Sequence, residues 1–124
     1  MPTDHDSTYN HDLQIDLAEH GSVTVAAITG NVDTVTADDL LATLQDAIAA
    51  GRVHLVGDLR GVGYTSSAGL RALLGAMKEA RRRGGDLRLA AVGEKVFKVL
   101  QLSGFTSILR LYDNVDAAVA SYAG

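Results

Sequence analysis

The sequence predicts a single α/β domain, with a mixed, mostly parallel sheet of about five strands and about four helices. From Val23 onward, short apolar stretches of strand length alternate with stretches of helical period. Strands that alternate with helices are joined by right-handed crossovers, which make the sheet largely parallel. The 124 residues, 47% hydrophobic and 21% charged, suit one globular domain with its own core.

The chain begins with a polar stretch, and the predicted domain follows it. Residues 1–10 are predicted to be a flexible tail, and residues 11–124 the domain. Leu13, Ile15 and Leu17 alternate with polar residues, which is the period of a half-buried strand. A turn at 19–22 then leads into a second strand at Val23–Thr29, so the first strand joins the sheet as an antiparallel hairpin.

The first helix is predicted between two turn segments. Residues 30–33 end the second strand. Thr36, followed three residues later by Asp39, resembles a capping box and indicates a helix start. Gly51 is a natural stop after that helix.

The central part of the chain is a strand, a turn and a helix. Residues 53–62 have the composition and length of a buried strand. The small hydroxyl residues of 64–69 lead into a helix whose apolar side is formed by Leu70, Leu73, Leu74 and Met77. Gly84 and Gly85 close this helix.

The last third of the chain repeats the alternation. It contains a strand at 87–92, a helix at 94–102 and a final strand at 108–112. Asn114 is predicted to cap a last helix.

Three positions at the predicted strand ends are candidates for function. The turn with Ser66 and Ser67 opens a helix, whose free N–H groups and positive dipole end stabilise an anion. Asp33 and Asp58 each lie near the carboxyl end of a strand, so they are expected at the same edge of the sheet. Simpler interpretations remain open. Either serine is an N-cap only, Asp33 stabilises a turn, and Asp58 binds nearby backbone N–H groups.

Composition excludes several classes of protein. A net charge of −4 does not favour nucleic-acid binding, and the basic run 81–83 reads as a solvated helix end. Without cysteine there is no disulfide or thiolate chemistry. No stretch resembles a secretory signal or a membrane span, so a soluble, cytoplasmic protein without membrane contact is expected.

Enzyme, cofactor and metal sites are not expected either. A serine hydrolase of the α/β type needs a histidine after its nucleophile, and all four histidines precede Ser67. Residues 61–66 lack the third glycine of a dinucleotide-binding turn, and no phosphate-binding lysine follows. The group Asp4, His5, Asp6 and His11 has no spacing that pre-forms a metal site.

Four segments in this order resemble the STAS family. They are Gly30-Asn31-Val32-Asp33, the strand segment 57–62, the helix start Ser66-Ser67-Ala68-Gly69-Leu70, and the segment 97–105 with its Ser-Gly end. The resemblance covers residues 13–122. A domain of this size is most similar to a stand-alone bacterial anti-sigma factor antagonist.

The resemblance implies a regulatory switch without catalysis, in transcription control of the stress-response or sporulation type. An anti-sigma factor that is a serine kinase binds the unphosphorylated antagonist, which frees a sigma factor. It phosphorylates a serine of the antagonist, and a metal-dependent serine phosphatase removes the phosphate. The family's glycine aligns with Gly69, so the phosphoacceptor falls on Ser67, with Ser66 as the minor alternative. Ser66 stands where the family has Asp, and Ala68 where it has Ser.

The implied partner-binding residues are Asp33, Asp58, Thr65, Ser66, Ser67, Gly69, Arg71 and Lys78. Two other functions stay open: a scaffold component of a stress-signalling complex, and a small-ligand module that uses the edge between Asp33 and Ser67. A weak homodimer also stays open.

Overall fold

A computed structural model describes residues 13–123 of the chain. The predicted tail at 1–10 and the first two residues of the predicted domain, 11 and 12, lie outside the described residues. The histidines at 5 and 11 are among them. The described part is one five-stranded mixed sheet with four α-helices, which confirms the predicted fold class. None of its helices combines the length and the apolar composition needed to cross a membrane.

The strands and helices alternate as predicted after an initial hairpin. In chain order they are β1 (Gln14–His20), β2 (Val23–Thr29), α1 (Thr34–Ala49), β3 (His54–Gly61), α2 (Ser67–Arg82), β4 (Asp86–Ala90), α3 (Glu94–Leu102), a 3₁₀ turn (Phe105–Ser107), β5 (Leu111–Tyr112) and α4 (Val115–Ala120).

The sheet follows the order of the chain, β1-β2-β3-β4-β5. β1 pairs antiparallel with β2, and every later pair is parallel. The carboxyl ends of β2 and β3 therefore lie side by side at one end of the strands, where the starts of α1 and α2 also lie.

The two faces of the sheet bury different residues. One face packs Ile28, Leu59 and Leu89 against the apolar sides of α1, α2 and α3, which forms the main core. The other face packs Val25 and Val56 beneath the short helix α4. Side chains alternate between these faces along each strand, so neighbours in sequence face different surroundings.

Two helix ends agree with the prediction, and one helix start does not. Gly51 and Gly84 follow α1 and α2 with φ of +95° and +88°, a conformation that favours glycine. The predicted capping box of Thr36 with Asp39 is wrong. Asp33 is the N-cap of α1, and Thr36 is its partner three residues on. Asp33 accepts from two amides of the first turn and so satisfies more of the helix start than Thr36 could.

The basic run 81–83 is exposed at the end of α2, as expected, but Arg81 also makes an ion pair, and the last strand is shorter than expected. Arg82 and Arg83 contact Glu79 on the helix surface, whereas Arg81 pairs with Asp86 at 2.7 Å. The predicted strand 108–112 is reduced to Leu111–Tyr112. Of the residues before it, Ile108 follows the 3₁₀ turn as its C-cap, and Leu109 is buried in the main core.

Candidate functional site

The loops that follow β2 and β3, at the carboxyl ends of these strands, are joined by backbone hydrogen bonds. The Val32 N–H donates to the Tyr64 carbonyl at 3.0 Å, and the Ser66 N–H donates to the Val32 carbonyl at 2.7 Å. Val32 and Thr65 form an isolated parallel bridge, and both are buried. This pairing extends the β2–β3 contact beyond the strands and sets the starts of α1 and α2 side by side.

Asp33 holds the start of α1. Its Oδ1 accepts from the amides of Val35 and Thr36 at 2.9 and 2.8 Å. In return, the Asp33 N–H donates to Thr36 Oγ1 at 2.9 Å, which completes a capping box. The interpretation of Asp33 as a residue that stabilises its turn is thus correct, and its half-buried side chain still reaches the surface.

Ser66 is the N-cap of α2. Its Oγ accepts from the Gly69 N–H at 3.2 Å, and its carbonyl accepts the first helical bond from Leu70. A Cβ on Gly69 would come within 2.6 Å of Val32 Cγ1 and closer still to Thr65 Oγ1. Glycine is therefore needed here so that the helix start can pack against the paired loops.

Ser67 is the first residue of α2, and its side chain is exposed. Within residues 13–123, no hydrogen bond engages its hydroxyl, and the amides of Ser67 and Ala68 have no acceptor. Of the three consecutive hydroxyl residues, Thr65 is buried and Ser66 caps the helix. Ser67 thus combines an accessible hydroxyl with the free N–H groups of a helix start.

We use the name rim for Asp33, Thr65, Ser66, Ser67 and Gly69. The structure brings these five predicted site residues together. Arg71 and Lys78 are exposed on α2 and fall four and eleven residues after Ser67, on the same side of the helix. This side extends about 16 Å from Ser67 to Lys78, at 1.5 Å per residue.

Asp58 is not part of this cluster. It lies on the α4 side of the sheet, where it lines a cavity of about 370 Å³ with Asn114 and Val115. It is buried, and its Oδ1 accepts from the Arg60 N–H at 3.1 Å. The expectation that Asp58 is bonded to a nearby backbone N–H is correct, but α1 and α2 cover the opposite face of the sheet.

Sequence reasoning missed two exposed apolar residues beside the rim. Tyr64 and Val35 are 52% and 59% exposed, and they flank the paired loops. Large exposed apolar side chains around polar residues are typical of protein-binding surfaces. The only sequence signal for Tyr64 is an aromatic residue within a turn of otherwise small residues.

The described residues contain no catalytic constellation at the rim. His20 and His54 lie at the opposite end of the strands from the rim, at the end of β1 and the start of β3. The ring of His54 contacts Tyr122 at a centroid distance of 5.2 Å. Within 13–123, no group of three or more His, Cys, Asp or Glu side chains could hold a metal ion.

We compared the chain with protein families, with known sequences and with solved structures. The family profile described as STAS domain matches residues 14–118. The anti-sigma F factor antagonist of Paenibacillus polymyxa is 30% identical over 103 residues, which cover 82% of this chain and 88% of that protein. The crystal structure of an anti-sigma factor antagonist from Mycobacterium paratuberculosis superposes with a TM-score of 0.83 at 25% identity, and covers 91% of this chain and 96% of the other.

A second similar structure is that of the Bacillus cell fate determinant SpoIIAA in its phosphorylated form. Its TM-score is 0.69 at 20% identity, with 88% of this chain and 99% of that chain covered. At this identity the likeness supports the fold alone.

Proposed function

This chain belongs to the STAS domain family, and we propose that it is an anti-sigma factor antagonist that is switched by phosphorylation of Ser67. Its relatives are antagonists of anti-sigma factors. Such antagonists are regulatory binding proteins and not enzymes. The proposed partner is an anti-sigma factor with serine kinase activity. Because that partner uses ATP, the proposed function belongs to the cytoplasm.

The observation that carries this proposal is the exposed hydroxyl of Ser67 at the first position of α2. A kinase must reach the hydroxyl and orient it towards the γ-phosphate. Thr65 is buried, and the Ser66 hydroxyl accepts from the Gly69 N–H, so phosphorylation of either would disturb the paired loops. Ser67 can accept a phosphate without loss of any hydrogen bond among the described residues.

The charge of a phosphate can act on a partner while the domain stays folded. A phosphoserine carries about −1.5 to −2 charges at neutral pH. At Ser67 this charge meets the free amides of the helix start and, one turn further on, Arg71, so the folded domain tolerates it. A partner docked over Asp33, Tyr64 and Ser67 would instead have to desolvate the phosphate, which weakens its binding.

Removal of the phosphate completes the proposed cycle. We assign this step to a serine phosphatase of the metal-dependent class, as the family resemblance implies. The structure of SpoIIAA, which shares this fold, is known in a phosphorylated form. The chain itself then needs no catalytic residue and no cofactor, because kinase and phosphatase supply the chemistry.

Phosphorylation with the native partner tests the assignment. A pull-down from native lysate identifies the kinase, and the purified pair is then incubated with ATP. Mass spectrometry is expected to find phosphate on Ser67, and Ser67→Ala is expected to remove it while Ser66→Ala keeps it. Phosphate found only on Thr65, Ser66 or a tail serine of the wild-type chain would refute the assignment of Ser67.

A further inference from the structure

An open groove of about 1060 Å³ lies between the end of α2 and the β5 edge of the sheet. Its lining includes three arginines and two aromatic side chains: Arg81, Arg88, Arg110, Phe97 and Tyr112. This part of the chain is basic although the whole chain has a net charge of −4. Residues 78–110 contain Lys78, Arg81, Arg82, Arg83, Arg88, Lys95, Lys98 and Arg110, against Glu79, Asp86 and Glu94.

One carboxylate, that of Asp86, forms ion pairs with two of the three arginines. Asp86 lies 2.7 Å from Arg81 Nε and 3.0 Å from Arg88 Nε, and it is buried between them. Arg81 Nη2 also donates to the Ile108 carbonyl at 2.9 Å, and Arg88 Nη1 donates to Ser121 Oγ at 2.7 Å. Both guanidiniums are thus held in place by the fold, and their charge is only half neutralised.

Arg110 adds a third positive charge beside them. Leu89 pairs with Leu111, and the Leu89 N–H donates to the carbonyl of Arg110 at 2.9 Å. Arg110, the residue before β5, therefore lies beside Arg88 of β4. Like charges in that arrangement repel each other. Within 13–123, no carboxylate pairs with Arg110, whose side chain is exposed towards the groove. An anion between these arginines would relieve the repulsion.

The tyrosine in the groove experiences this positive potential. The Ser121 hydroxyl, and then the Arg110 and Arg88 guanidiniums, lower the pKa of Tyr112 against the opposing effect of burial. These cations favour the ionised phenol, as they would favour any other anion at this position.

We propose that this groove binds a small organic phosphate, with its phosphate group on Arg110 and Arg88 and a flat apolar part against Phe97. Phosphate suits guanidinium groups because it accepts two parallel charge-assisted hydrogen bonds. Phe97 is 40% exposed and lines the same groove, so an aromatic or apolar substituent gains contact area there. The site shares no residue with the rim and does not depend on the proposed switch.

Binding of two simple probes to the full chain tests the proposal. Inorganic phosphate and phenyl phosphate are titrated while backbone amide shifts are followed by NMR. Saturable shifts are expected at Ser107, Arg110 and Tyr112, with tighter binding of phenyl phosphate. Arg110→Gln is expected to weaken both ligands by about tenfold or more, the usual effect of removing a hydrogen bond to a charged group.

Two controls separate a built site from general charge attraction. Arg60→Gln removes the same charge from a side chain that is 81% exposed and does not line the groove, and this variant is expected to bind phosphate as wild type does. Phe97→Ala is expected to remove the advantage of phenyl phosphate over inorganic phosphate. The bound anion is also expected to raise the pKa of Tyr112, because it neutralises the nearby arginines.

Three results would overturn the proposal. They are the absence of saturable shifts in the groove, an equal loss of binding in Arg60→Gln and Arg110→Gln, and binding to phosphatidylglycerol vesicles without binding of phenyl phosphate. Circular dichroism of each variant checks that it is folded, which the exposed positions of Arg60, Phe97 and Arg110 favour.

Discussion

The backbone N–H of Ser66 donates a 2.7 Å hydrogen bond to the carbonyl of Val32. This bond ties the loop that ends in the N-cap of α1 to the residue that is the N-cap of α2. The rim is therefore held by the same backbone pairing that extends the parallel sheet. Substitutions that separate the two loops are expected to change both stability and the shape of the proposed docking surface.

The close packing at Gly69 leads to the first prediction. Gly69→Ala places a Cβ within 2.6 Å of Val32 Cγ1, so it is expected to lower the free energy of unfolding by roughly 1–3 kcal/mol through overpacking. Gly75 is the matched control in the same helix, because its nearest contact would be Leu41 Cδ1 at 3.7 Å. Gly75→Ala is expected to stabilise the chain by about 0.5–1 kcal/mol through helix propensity. Urea unfolding measures the free energy of unfolding of both variants. An equal change in Gly69→Ala and Gly75→Ala would contradict the packing argument.

The capping role of Asp33 can be separated from its charge. Asp33→Ala removes the acceptor of two amides and is expected to cost roughly 0.5–2 kcal/mol of stability. Asp33→Asn keeps an acceptor of similar capping strength, so its stability is expected to stay close to wild type. If Asp33 also contacts the partner, calorimetry with the kinase will find weaker binding for Asp33→Asn. Wild-type affinity in this variant would limit Asp33 to a structural role.

Asp86 makes stability depend on acid pH. Burial disfavours its charged form, but the hydrogen bonds from Arg81 and Arg88 outweigh burial and hold the pKa of Asp86 below the ordinary value of 3.8. A lowered folded pKa stabilises the fold above that ordinary value, and the stabilisation is lost as the pH falls through the folded pKa. Asp86→Asn is therefore expected to cost roughly 1–3 kcal/mol at neutral pH.

The pH profile distinguishes this effect from a general loss of packing. Urea unfolding is measured at several pH values for wild type, Asp86→Asn and the exposed control Asp16→Asn. The difference between wild type and Asp86→Asn is expected to shrink below pH 3.8, the ordinary Asp value. A difference that does not change with pH would mean that the carboxylate charge is not the cause.

Tyr64 is expected to anchor the partner. Because half of its side chain is exposed, Tyr64→Ala is expected to leave stability nearly unchanged. Truncation of an aromatic contact at an interface costs about 1 kcal/mol or more, which is a loss of about fivefold or more in affinity. Leu102→Ala is the control, because this side chain is 80% exposed and lies at the end of α3. An equal loss in both variants would remove Tyr64 from the docking surface.

The order of elements could be predicted because local patterns and tertiary packing agree. Leu70, Leu73 and Met77 are spaced as one face of a helix, and the structure buries all three in the main core. The helix stops at Gly51 and Gly84 could be predicted because only glycine readily adopts their positive φ. The family motifs then predicted which turn would carry the site.

The predictions fail where the local sequence is compatible with more than one arrangement. Both Asp33 and Thr36 are good N-caps, and the hydrogen bonds of Val32 with Tyr64 and Ser66 decide between them from another part of the chain. Asp58 was expected near Ser67 because it lies near the carboxyl end of β3 and Ser67 follows that strand, but side chains alternate across the sheet, and Asp58 faces α4. The arginine groove depends on the register of β4 with β5, which no local pattern predicts.

The most direct test of the switch is the affinity of the anti-sigma kinase for three forms of the chain. Titration calorimetry compares wild type, Ser67→Ala and Ser67→Asp, with Leu73→Ala as a variant that is destabilised by a core cavity. Ser67→Ala is expected to bind like wild type and to become insensitive to ATP. Ser67→Asp is expected to bind at least about tenfold more weakly, since an unpaired carboxylate must be desolvated in the contact. Wild-type affinity for Ser67→Asp would contradict a switch based on charge at this helix start.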